Sequence, residues 1–272
     1  MTTTIIPSVP AVGTNAVYRT RATDLRSVPA ALRSEWIKVS TLRTNKVILA
    51  LTAGIGAAIA GALAATATDA KVPASELFIY PLPLVATLAI VTGILLFTAE
   101  VQHGTLAVTL AARPARWVTV VAKSVMAVAV GAAYGLAAMA AGFGGALAGG
   151  AELGDGAAMV SRGAWALLYI AVAAVIGLGV GMIVRHSAGA ISGLLMWSFV
   201  IETLFAPALP EGVLHFLPFS AGYRLLDAGA EFKAPVVIAD ELSRPMYAAI
   251  FTGYALVSLT IGTILLYRRD SN

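Results

Sequence analysis

Six runs of mainly apolar residues, each close to the ~20 that a helix needs to cross a bilayer, interrupt this chain at short intervals. They lie at roughly 47–67, 78–98, 124–148, 163–184, 188–206 and 246–267. Inside hydrocarbon every backbone N–H and C=O must find its partner within the protein, so runs of this length admit helices and little else. The expected fold is an all-α integral membrane protein with six transmembrane helices. Composition agrees: 59% of the residues are hydrophobic and 12% charged, against about 25% charged in soluble domains. The spans use up most of the 272 residues and leave no block outside the membrane long enough to fold around its own core. Chemistry that needs a soluble domain must therefore come from another chain. The absence of cysteine excludes disulfides, thiolate zinc sites and a cysteine nucleophile.

Lysine and arginine are retained on the cytoplasmic side of a membrane, and an even number of spans puts both termini on one side. Thirteen of the 18 basic residues fall on the side of the termini. They lie before the first span, in the link between the second and third (Arg113, Arg116, Lys123), at Arg185, and at Arg268 and Arg269. The other side holds nine acids, among them Glu76, Glu152, Asp155 and Glu211. The chain is thus expected in the plasma membrane with both termini cytoplasmic. Its net charge of +4 reflects topology and attraction to lipid headgroups. No basic patch with interleaved aromatics points to nucleic acid.

Residues 1–28, rich in Thr, Pro and Arg, read as a mobile cytoplasmic tail without a cleavable signal. Residues 29–46 read as an amphipathic interfacial helix, with Leu32, Trp36, Val39 and Leu42 on one arc and Trp36 at headgroup depth. Glu35 and Arg43 fall on the same arc and spoil it. The transmembrane domain is expected over 47–267, with 268–272 as a short cytoplasmic tail.

The link "AEVQHGTLAVTLAARPARWVTVVAK", residues 99–123, is far longer than a chain reversal requires. It contains a short helix candidate: Thr105 as cap, Leu106 and Leu110 on a shared face, Pro114 as terminator. Such a helix can present an apolar knob to a partner's groove or lie on lipid.

The run Glu100, "HGTLAVTLAARPAR" and Lys123 resembles the segment between the second and third spans of ATP-binding-cassette type 2 (ABC-2) transporter permeases. The stretch "LRSEWIKVSTLRTNK", through Glu35, Trp36, Lys38, Leu42 and Arg43, resembles that family's elbow helix. "FLPFSAGYRLL", residues 216–226, resembles its leucine-proline element before the sixth span. The similarity covers residues 30–268 in order and spacing. It implies a permease subunit of an ATP-driven transporter, an exporter of drug-like, lipidic or peptide cargo. A second permease copy and a separate nucleotide-binding ATPase subunit would be its partners, with ATP and Mg bound to the latter. It also implies a coupling helix with Gly104, Thr105, Leu106 and Leu110 at the ATPase contact and Glu100, Pro114 and Arg116 framing it. A re-entrant pair of short helices is implied before the sixth span. Where relatives carry further arginines, this chain has alanines and Thr109.

The chain has no G-x-x-x-x-G-K-[ST]; Trp117 stands where the first glycine would precede Lys123 and Ser124. No catalytic residue, metal site or cofactor of its own is expected. His103, His186 and His215 are scattered outside the spans. Within the spans Glu202 is the main ionisable residue, expected to face protein or water. With Phe216 and Phe219 it is a candidate for the pathway or outer gate, or a hydrogen-bonded structural glutamate. Gly131 and Gly135, Gly177 and Gly181, and Gly189 and Gly193 are each four apart, the spacing that lets helices approach closely. Two alternatives to the transporter stand beside it: an ATP-independent channel or secondary carrier, and a membrane scaffold anchoring a cytoplasmic partner.

Overall fold

The computed structural model describes residues 21–66, 72–112, 115–226 and 242–269. Its elements, in chain order, are α1 (Arg21–Thr41), α2 (Arg43–Thr66), α3 (Ala74–Leu77), α4 (Leu82–Gln102), α5 (Thr105–Ala112), α6 (Arg116–Ala148), α7 (Gly156–Val184), α8 (Ser187–Met196), α9 (Glu202–Phe205), α10 (Glu211–Leu214), α11 (Pro218–Tyr223) and α12 (Arg244–Arg269). A π-helical turn, Trp197–Ile201, joins α8 to α9. Six stretches are long and apolar enough to cross a membrane: α2, α3 with α4, α6, α7, α8 through α9, and α12. The protein is therefore membrane-embedded and helical, and no strand occurs among the described residues.

The fourth span, α7, is the centre of the bundle and packs against α4, α6 and α12, while α2 lies along α6. Small residues permit these approaches. A side chain at Gly93 would strike the backbone at Ala174, and one at Gly177 the backbone at Ile90, so α4 and α7 meet through glycine from both sides. Gly131 likewise abuts α7 at Ile170 and Ala171. Gly193, by contrast, has open space beside it, so the Gly189–Gly193 pair is not a contact within this chain. The first, fifth and sixth spans are peripheral and show large apolar side chains outward, such as Leu51, Leu204 and Leu256. In hydrocarbon such exposure carries no hydrophobic penalty.

Several boundaries differ from the sequence reading, each for a packing reason. The third span starts at Arg116, not at 124, because Val118 and Ala122 bury themselves against Ala31 of α1. It also continues through the glycine-rich "GFGGALAGG", whose Gly145 lies against the α2 backbone at Ala57. The fourth starts at Gly156, not at 163, with the Asp155 carboxylate accepting from the Ala157 N–H at 2.9 Å.

Helix α1 begins at Arg21 and carries Pro29 inside it, so the helix reaches eight residues into the expected tail. Residues 1–20 and 270–272 lie outside the described residues, and Arg268 and Arg269 belong to α12. Before the sixth span two short helices, α10 and α11, are present, with α11 against α7 and α12. The rest of that connection, 227–241, is outside the described residues.

Candidate functional site

The arc predicted for α1 does not define its packing. Ala31, Glu35 and Val39, each one turn from the next, are the buried positions, whereas Trp36, Leu42 and Arg43 are exposed. The helix docks on α6 instead of presenting the Leu32–Trp36–Val39–Leu42 face as a unit. Glu35, the residue that spoiled the apolar pattern, is the one the fold buries.

It is buried in a cluster of four charges. The Lys38 ammonium donates to Glu35 Oε1 at 2.7 Å and to Glu100 Oε1 at 2.6 Å. The Lys123 ammonium donates to Glu35 Oε2 at 3.0 Å, to Glu100 Oε1 at 2.8 Å and to the Leu96 carbonyl at 2.8 Å. Two cations thus alternate with two anions, tying α1, the last turn of α4 and the second turn of α6. Lys123, Glu35 and Glu100 are almost wholly out of water, and Lys38 is the member that reaches solvent. Burial pulls the Lys38 ammonium down, but its hydrogen bonds to Glu100 and Glu35 and their charges outweigh this and hold it above the usual lysine value. Its contribution is therefore complete below the ordinary lysine pKa and fades only as pH rises through the raised one. One oxygen, Glu100 Oε2, is buried with no partner.

Directly after Glu100 the chain turns through Gly104, at φ +68°, into α5. The Thr105 hydroxyl donates back to the Glu100 carbonyl at 3.3 Å, so it finishes α4 and does not cap α5 as expected. Leu106 and Leu110 turn toward the bundle. Leu106 is buried in the core and Leu110 packs partly buried against it. The face turned away carries Thr105, Ala107, Val108 and Ala111, with Val108 70% exposed. Any knob offered to a partner is centred on Val108. Pro114 lies outside the described residues.

Replacing Gly104 by alanine should cost about 1–2 kcal/mol, the strain of a left-handed backbone for a residue with a Cβ. No atom lies within 4 Å of the added carbon, so the cost is conformational alone. Asparagine should cost less than alanine there, and thermal unfolding of the two variants in detergent checks the order.

Arg116 does not stand free as a framing charge. Its guanidinium donates to the carbonyls of Leu266 at 3.1 Å and Tyr267 at 2.9 Å and lies over the Tyr267 ring at 5.6 Å, closing the C-terminal end of α12. Arg269 similarly donates to the Ile183 carbonyl of α7 at 3.1 Å, and Gln102 donates to the Ser187 hydroxyl at 2.8 Å. An open cavity of about 630 Å³ lies between α5 and these ends, lined by Val101, Gly104, Leu106, Leu110, Arg116 and Arg185. One end of the bundle therefore gathers α1, α5, the turn between the fourth and fifth spans and the C-terminal end of α12, with basic residues in α1, at Arg116, at Arg185 and at Arg268 and Arg269.

At another place Glu202 is buried and hydrogen-bonded. Oε1 accepts from the Trp197 indole and from the Phe219 N–H, both at 3.0 Å, and Oε2 accepts from the Ser220 N–H at 2.7 Å. Glu202 thus caps α11, a short helix from a different part of the chain. Phe219 lines a cavity beside it; Phe216 is exposed and belongs to no such wall, its carbonyl taking the Tyr254 hydroxyl at 2.7 Å.

Sequence reasoning missed the partnership of Glu35 and Lys38 with Lys123. The signal available was an acid on an otherwise apolar arc and a lysine heading an apolar span. No protein-family model matches the chain, and no curated protein matches it.

Proposed function

We propose that this chain is the permease subunit of an ATP-driven exporter, energised by a separate ATPase that docks on α5. The observation that supports this most is the mounting of α5. One face is packed on the bundle, the other is bare at Val108, and the helix follows directly on a buried charge cluster that clamps three helices together. A surface helix used only to reverse the chain would need no such clamp. In the proposed mechanism, closure of two ATPase subunits pushes α5, the clamp passes the displacement to α1, α4 and α6 as one body, and two six-helix bundles rock to expose cargo alternately to each side.

The end of the bundle bearing α1, α5 and the C-terminus of α12 is the cytoplasmic one under this reading, in the plasma membrane, because the basic residues collect there. Helix α1 is the elbow, its exposed Trp36 and Ile37 meeting lipid. Helices α10 and α11 form the re-entrant element at the outer face. The glycine-lined packing of α4 and α7 holds the core of each bundle while the peripheral spans supply the surface for the second copy.

Val108→Asp tests the reading, since a residue so exposed tolerates a charge without unfolding the chain. The variant should retain its thermal stability within about 0.5 kcal/mol and lose the ATPase that co-purifies with the tagged wild-type chain. Recovery of a stoichiometric partner bearing Walker A and B motifs supports the transporter. Transport that persists without ATP, or a stoichiometric partner without those motifs, replaces it by the carrier or the scaffold. Leu110 serves less well for this test, because a charge there strikes the core.

A further inference from the structure

Glu202 presents an electrostatic problem that the protein alone does not solve. Its carboxylate is 95% out of water, as its residual exposure of 5% shows. The three groups that meet it are all N–H donors: the Trp197 indole and the backbone amides of Phe219 and Ser220. No lysine, arginine or histidine among the described residues forms an ion pair with it. Ionising a buried carboxyl without a counter-cation is costly, so a cation brought beside it would be held strongly.

Beside it lies a cavity of about 140 Å³ whose lining includes the aromatic residues Tyr169, Phe199, Phe219 and Tyr223, apolar residues of α4, the hydroxyl residues Thr87, Ser198 and Thr203, and Glu202 and Ser220. The Ser220 hydroxyl is buried and has no hydrogen-bond partner among the described residues. The cavity thus brings together a carboxyl group with no basic partner among the described residues, a buried hydroxyl and four aromatic residues. Aromatic walls with a carboxylate recognise alkylated ammonium groups, which a ring quadrupole attracts and an apolar wall desolvates cheaply. The volume suits a trimethylammonium-sized group and falls well short of the ~300 Å³ or more of a drug-sized site.

We propose that this cavity is a subsite for the alkylammonium group of an amphiphile, held by Glu202 and Ser220 and enclosed by the four rings. Under the transporter reading it selects the cationic end of the cargo. Binding itself needs no ATPase, so the two readings fail separately.

The test uses the full chain alone, in nanodiscs of phosphatidylglycerol, titrated calorimetrically with choline and with its uncharged carbon isostere 3,3-dimethylbutan-1-ol. Choline should bind at least tenfold more tightly than the isostere. Glu202→Gln should remove that preference, and Ser220→Ala, which breaks no hydrogen bond of the fold, should weaken choline severalfold without touching the isostere. Doping the discs with phosphatidylcholine separates two sources of the same chemistry. Competition with soluble choline identifies a lipid headgroup, and its absence a water-borne amine; either supports the subsite. Equal binding of choline and isostere, no choline binding by the wild-type chain, or displacement of choline by sodium or potassium at equal concentration would overturn it.

Discussion

Lys123→Met is expected to destabilise the protein by about 3–5 kcal/mol, the penalty for stripping one partner from a buried ion cluster. Lys123 alone serves both Glu35 and Glu100 from the dry side, so its loss leaves Lys38, from the wet side, to answer two carboxylates. Methionine matches the stem of lysine in length, which keeps the packing term small. Adding Glu100→Gln to Lys123→Met should recover part of the loss, because it removes the charge left exposed to low dielectric. Unfolding in detergent, run as a double-mutant cycle, reads this directly. Strict additivity of the two substitutions would show that the carboxylate and the ammonium do not act as a unit.

Glu202→Ala should be the next most damaging change, by about 3 kcal/mol. It deletes hydrogen bonds to a charged acceptor, each worth about 1.5–3 kcal/mol, and leaves two backbone N–H groups of α11 without a partner in a buried place. The loss should be local. Amide hydrogen exchange at Phe219 and Ser220 should quicken far more than exchange in α7, since α11 has little else to hold its first turn. Glu202→Gln, which keeps one carbonyl oxygen, should fall between wild type and alanine. Equal protection of Phe219 and Ser220 in wild type and Glu202→Ala would remove the capping role.

The spans were legible because hydrocarbon imposes one requirement on every residue of a run, and a run of twenty shows it without reference to the rest of the chain. The ends of the helices were less so. Arg116 and Trp117 look like loop residues until α1 is known to lie beside them, and Val28 looks like part of a tail until α6 offers it a surface. At the site the failures share a cause. The sequence places Leu106 and Leu110 on one face of α5 but does not say whether that face turns in or out; the bundle, lying nearer than any partner, takes it. Glu35 was visible as a defect in a pattern. That a lysine 88 positions away answers the defect is a property of packing, which no local window contains. Glu202 was readable as a residue needing company, while the identity of that company, two backbone amides of a short helix, was not.

The charge cluster also orders the assembly of the chain in time. When α1 and the second span have left the ribosome, Glu35 and Glu100 share a single lysine, and the cation that completes the set is still to be synthesised in the third span. Until Lys123 arrives, α1 lacks its second ionic partner and the Val118 and Ala122 surface it rests on. A chain ending before that point would carry two acids at the membrane border answered by one lysine.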